Sequence, residues 1–210
     1  MRGKNVVRLA PQRVTGKFAS VKNQLSVQWE SRLERDAIYK LETDTDVTGF
    51  ESQSVVVRYR LNGVLCEYHP DLKVRRVRTK SFIEVKPFNE AQLPENQDRF
   101  AEIARVLEIE ESNFIVWTEK EIRQQPRLNN IKYLLRFRRM RYEHSQIRSL
   151  RELIERSGPM PISEALATLD RTLPMPALLA MVCHGRIAID HTTAIGPDTF
   201  INLVQTGVPQ

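Results

Sequence analysis

Tyr68-His69-Pro70-Asp71-Leu72-Lys73-Val74 and Ser81-Phe82-Ile83-Glu84-Val85-Lys86-Pro87 are the two segments around which this chain is organised. Each reads as a short strand, and a basic turn carrying Arg75, Arg76, Arg78 and Lys80 joins them. Strand side chains alternate faces, so Glu84 and Lys86 are expected on one face and Val85 in the core. Pro70 cannot donate to a ladder and marks a strand start, bulge or edge, which helps aim Asp71 outward; Pro87 closes the second strand in the same way. If the strands pair, Asp71 comes beside Glu84 and Lys86. Two carboxylates and an ammonium on one sheet face can form a magnesium site for cutting phosphodiesters. A solvated edge of ordinary charged residues is the alternative reading.

Upstream, Val55, Val57 and Tyr59 alternate with Val56, Arg58 and Arg60 as a strand, and residues 64–68 return as its partner. Asn62-Gly63 between them is a strong two-residue hairpin signal. Residues 29–42 have a helical stripe of Leu33, Ala37 and Leu41, flanked by Trp29 and Ile38. Glu30 and Glu34 lie one turn apart beside it, so Glu34 can either project toward the sheet edge or be simply solvated. Residues 43–48 are polar and break the helix. Downstream come a helix over 95–107, a buried strand over 113–117, a capping box at Thr118-Glu119-Lys120-Glu121 and a helix over 129–140 with a basic face. This order predicts an α/β domain with a mixed sheet.

The character changes near His144. Helices are expected over 147–154, 162–169 and 177–184, the last opened by Pro174 or Pro176, followed by strands at 187–189 and 200–203. Three helices and a hairpin make the winged-helix plan. The third helix is apolar, with Leu178, Leu179, Met181 and Val182, so DNA reading and protein docking both stay open.

Lys and Arg number 32 against 26 Asp and Glu, a net charge of +6 over 210 residues. The cations cluster. Residues 1–29 hold Arg2, Lys4, Arg8, Arg13, Lys17 and Lys22 and no acid, and further groups run over 73–80 and 132–141. Such segments suit a polyphosphate partner such as DNA. Residues 1–24 read as an irregular basic arm, either a tail or a segment lying on DNA backbone. No apolar run approaches a membrane span, and no signal peptide is expected. Cys66 and Cys183 fit reduced thiols better than a disulfide framework. Cys66 and His69 lack a second pair for zinc, and no glycine-rich phosphate loop or nucleophile elbow is present.

Pro70-Asp71 followed, after twelve intervening residues, by Glu84-Val85-Lys86 matches the PD-(D/E)xK signature of restriction-like nucleases. More narrowly, the sequence resembles TnsA, the endonuclease subunit of heteromeric cut-and-paste transposons. Ser31-Arg32-Leu33-Glu34, Pro70-Asp71-Leu72, Glu84-Val85-Lys86-Pro87 and Phe114-Ile115-Val116-Trp117-Thr118-Glu119-Lys120-Glu121-Ile122 fall in that family's order and spacing. The resemblance covers most of residues 18–140, with a looser winged-helix match over about 147–205.

The resemblance implies a basic arm over 1–24, a restriction-endonuclease-like catalytic domain over 25–142 and a winged-helix domain over 143–210. It implies that Asp71, Glu84 and Glu34 ligate Mg2+, with Mn2+ as a substitute, and that Lys86 orients the attacking water or offsets charge on the phosphate. Position 84 is Gln in some relatives and Glu here, the stronger metal ligand. The implied partners are the double-stranded DNA of transposon ends, cut on the 5′ strand, a DDE-type transposase (TnsB) cutting the 3′ ends, and an ATPase regulator (TnsC) docking on the winged helix. The implied place is the cytoplasm, at the nucleoid, with no membrane partner. Two other readings share many of these features: a stand-alone restriction, repair or resolvase-type nuclease, and a catalytically inert DNA-binding assembly factor.

Overall fold

A computed structural model describes residues 14–204. The chain opens with a hairpin of β1 (Gly16–Ala19) and β2 (Ser26–Trp29), followed by α1 (Arg32–Thr43) and β3 (Val47–Ser52). A second hairpin, β4 (Val57–Leu61) and β5 (Val64–Tyr68), leads into β6 (Leu72–Arg76) and β7 (Lys80–Val85). Then follow α2 (Phe88–Ala91), α3 (Pro94–Ile109), β8 (Ser112–Trp117), α4 (Glu119–Ile122) and α5 (Arg127–Leu134). The last part comprises α6 (His144–Ser157), β9 (Met160–Pro161), α7 (Ile162–Leu169), α8 (Met175–Cys183), β10 (Ile187–Ile189) and β11 (Phe200–Leu203).

The result is an α/β architecture with a mixed central sheet in the order β3-β6-β7-β8. β6 and β7 pair antiparallel, as their short basic turn requires, whereas β7 and β8 are parallel. A parallel pair needs a long crossover, and α2 and α3 supply it. The sheet is covered on both faces. Ile83, Val85 and Trp117 join Ala37, Ile38 and Leu41 of α1 on one side, while Phe82 joins Phe100, Ile103 and Leu107 of α3 and Val57 and Tyr59 of β4 on the other.

Several expectations need correction. The basic arm is not irregular throughout: from Gly16 it forms the β1–β2 hairpin, and residues 1–13 lie outside the described residues. Lys22, at this hairpin's turn, donates from Nζ to the carbonyls of Leu41 (2.9 Å) and Asp44 (2.5 Å). Trp29 ends β2 and is not helical, because Ser31 caps α1 by accepting from the Glu34 N–H at 3.1 Å. The polar break after α1 runs directly into β3, a sheet strand whose period is blurred by Gly49 and by a register shift between Val47 and Gly49. The β4–β5 hairpin stands apart from the central sheet. Its turn has Asn62 and Gly63 at φ 51° and 82°, the left-handed pair a two-residue loop needs. The helix expected over 129–140 ends at Leu134 and passes into a 3-10 turn, Leu135–Phe137.

The last part contains three helices and a three-stranded antiparallel sheet, β10-β11-β9. Pro174 occupies the N-cap of α8 and Pro176 its first turn. α8 is buried from Ala177 to Cys183, which accounts for its apolar composition. One apolar cluster runs from α1 through Leu150, Leu178 and Ile201, crossing the boundary expected at residue 143. No helix among the described residues is long and apolar enough to cross a membrane.

Candidate active site

Leu72 pairs with Ile83 in the β6–β7 ladder. Continuing that antiparallel register by one position sets Asp71 opposite Glu84. Because faces alternate, both then lie on the side of Phe82, facing α3 and the β4–β5 hairpin, while Leu72, Ile83 and Val85 face α1. Asp71 Oδ2 accepts from the Val85 N–H at 2.7 Å, a bond that fixes the carboxylate against the end of β7. Lys86 Nζ lies 3.1 Å from Glu84 Oε1. The Lys86 N–H donates to the Trp117 carbonyl at 3.0 Å, carrying the β7–β8 ladder one residue past the end of β7. The strand spacing therefore places Asp71, Glu84 and Lys86 together.

Glu84 differs from its expected environment. It is 3% exposed, as deeply buried as its core neighbours, because α3 and the second hairpin roof this face of the sheet. Among the described residues, Oε2 of Glu84 is buried with no partner at ordinary hydrogen-bond length, and so is the Tyr68 hydroxyl at the end of β5. A buried carboxylate oxygen without a donor is costly, and each such group in a native fold calls for an explanation.

The electrostatics agree. Asp71 is pushed up from the usual carboxylate range to about 8, by burial first and then by the Glu84 charge. The Val85 N–H opposes this and the Glu34 charge adds to it. Burial and the same Glu84 charge hold the Tyr68 phenol protonated far above its ordinary range. Two carboxyl groups thus share one site with a single ammonium, Lys86 beside Glu84 Oε1, and below about pH 8 the raised Asp71 holds a proton.

Glu34 comes within electrostatic reach of Asp71 from the first turn of α1, on the other side of the sheet. Its own carboxylate is engaged, with Oε2 accepting from the Glu30 N–H at 2.8 Å. Among the described residues no three His, Cys, Asp or Glu side chains are grouped to hold a metal ion, so Glu34 does not complete a three-carboxylate set in this arrangement. The orphaned Glu84 oxygen and the crowded Asp71 nevertheless fit a hard divalent cation, which takes oxygen ligands and keeps several waters.

Sequence reasoning missed two features. Tyr68 reads in the sequence only as a strand end, yet its ring packs edge-on against Phe114 (6.4 Å between centroids) and places its hydroxyl near Glu84. Asp36, 2% exposed on α1, gathers Arg35 (2.8 Å), Arg123 (3.0 Å) and Lys132 (3.5 Å) from three elements. An acid inside an apolar helical stripe was the available signal. No protein-family model matches the sequence, and comparison with curated proteins gives no match.

Proposed function

We propose that this protein is a magnesium-dependent DNA endonuclease of the TnsA kind, cutting the 5′ strand at transposon ends beside a TnsB-type transposase and a TnsC-type ATPase. On this reading residues 25–142 are a restriction-endonuclease-like domain and residues 143–210 a winged-helix domain that docks protein, acting on DNA in the cytoplasm. The observation that carries it is the juxtaposition of Asp71, Glu84 and Lys86 at one sheet end, with a buried Glu84 oxygen that has no partner at ordinary hydrogen-bond length among the described residues.

Asp71 and Glu84 would hold the cation, with Glu34 adding negative charge from α1. Bound there, Mg2+ supplies a Lewis acid for phosphate oxygens and lowers the pKa of a coordinated water. The Val85 N–H keeps Asp71 in place for that role. Lys86, partly exposed and already beside Glu84, is positioned to offset charge building on the phosphate oxygens in the transition state. The four sequence blocks shared with TnsA and the basic segments support the same reading.

The test is reconstitution with the transposase of the same element on end-bearing DNA in magnesium, mapping cuts on both strands. Asp71→Ala should abolish the 5′-strand cut while leaving the 3′-strand cut and DNA binding in place. Normal 5′ cutting by Asp71→Ala would reject the assignment. Absence of the 5′-strand cut with wild type and variant alike, with DNA binding intact, would move the protein to the inert assembly class.

A further inference from the structure

We propose that a basic groove formed by β1, α1 and α5 holds the sugar–phosphate backbone of one DNA strand, an inference that rests on the endonuclease reading. The groove encloses about 640 Å³. Lys17, Arg35, Lys132, Arg136 and Arg138 line it, and none of its lining residues is acidic. These cations are distant in sequence: one comes from a strand, one from the first helix, and three from α5 and the turn after it.

Asp36, a buried residue of α1, bonds Arg35 and Lys132 without neutralising the group, since it supplies one negative charge against five positive ones. Lys17 and Arg136 are exposed. The three arginines lie over aromatic rings: Arg138 over Phe18 at 5.2 Å, Arg35 over Tyr39 at 5.5 Å and Arg136 over Tyr133 at 5.8 Å. A guanidinium held against a ring loses little further freedom on binding, and its planar fork matches phosphate oxygens. A concave trough of spaced cations suits a single phosphate strand, whereas a bilayer surface would meet only its rim.

The experiment measures binding of the full chain to a short blunt DNA duplex by fluorescence anisotropy over a salt series. Lys17→Ala with Arg136→Ala should lower the magnitude of the log K against log salt slope by about 0.9 per lost contact, hence by about 1.8 in total. The charge-preserving pair Lys17→Arg with Arg136→Lys should restore it. Arg60→Ala with Arg105→Ala, which removes the same charge from β4 and α3, should leave the slope unchanged. Equal changes in the groove pair and the control pair, or no change in either, would overturn the groove. So would a groove variant that loses only retention on phosphatidylglycerol vesicles. The same preparations are scored for Asp71-dependent cutting, so failure of the groove with cutting intact is separable from failure of the nuclease reading.

Discussion

Tyr68 and Glu84 bring two buried polar oxygens toward each other at the sheet end, and among the described residues neither has a partner at ordinary hydrogen-bond length. If the Tyr68 hydroxyl has no bond to lose, Tyr68→Phe should leave metal-free stability unchanged or raise it by up to about 1 kcal/mol, since an unsatisfied buried hydroxyl is destabilising. The ring contacts with Phe100 and Phe114 persist in this variant. A loss above about 1 kcal/mol in chemical denaturation would mean that the hydroxyl is bonded in solution. Asp71, Glu84 and Lys86 were legible in the sequence because strand alternation and a two-strand hairpin are local rules. The depth of Glu84 and the presence of Tyr68 were not, because both depend on α3 and the second hairpin closing over one face of the sheet.

At the scale of elements, capping chemistry was the most readable signal. The Thr118–Glu121 box forms as expected, with Glu121 Oε2 accepting from the Thr118 N–H at 2.8 Å. β3 escaped notice because Gly49 and alternating polar residues hide its period, and pairing with β6 makes it a strand. The β1–β2 hairpin was hidden by its basic composition, yet its turn is anchored by Glu42, which accepts from Ser20 Oγ at 2.6 Å and the Val21 N–H at 2.7 Å. Burial at this anchor pulls the Lys22 ammonium down to about 8, against partial support from Asp44 and Glu42. Between pH 8 and 10.5 the unfolded chain therefore keeps a proton that the folded chain has released. Stability from this residue rises with pH across that window and carries its full penalty below it. The stability of wild type relative to Lys22→Met should thus climb by about 2–3 kcal/mol between pH 8 and 10.5 in urea titrations. A flat difference would show that Lys22 is solvated and the hairpin is not docked.

At the scale of the whole molecule, the helices after residue 143 do not hang from a linker. Buried Asn130 on α5 donates to the Thr193 carbonyl at 2.7 Å and accepts from the Ile195 N–H at 3.1 Å, joining the loop before β11 to the first part of the chain. Gly185, at φ 64°, lets the turn after α8 approach Thr45 so closely that a Cβ there would overlap the threonine methyl. The composition change near His144 signalled new elements, but nothing local could signal that the two parts share one apolar cluster. The central claim is that the two crowded carboxyl groups where β6 begins and β7 ends take up a divalent cation, which displaces the Asp71 proton. Titration of the full protein with Mn2+, followed by electron paramagnetic resonance of the free ion, measures this without requiring partners or turnover. The account predicts a site in wild type that disappears in Glu84→Gln and in Asp71→Asn and is weakened in Glu34→Gln. Binding that is absent in wild type, or equal in wild type and Glu84→Gln, would contradict it.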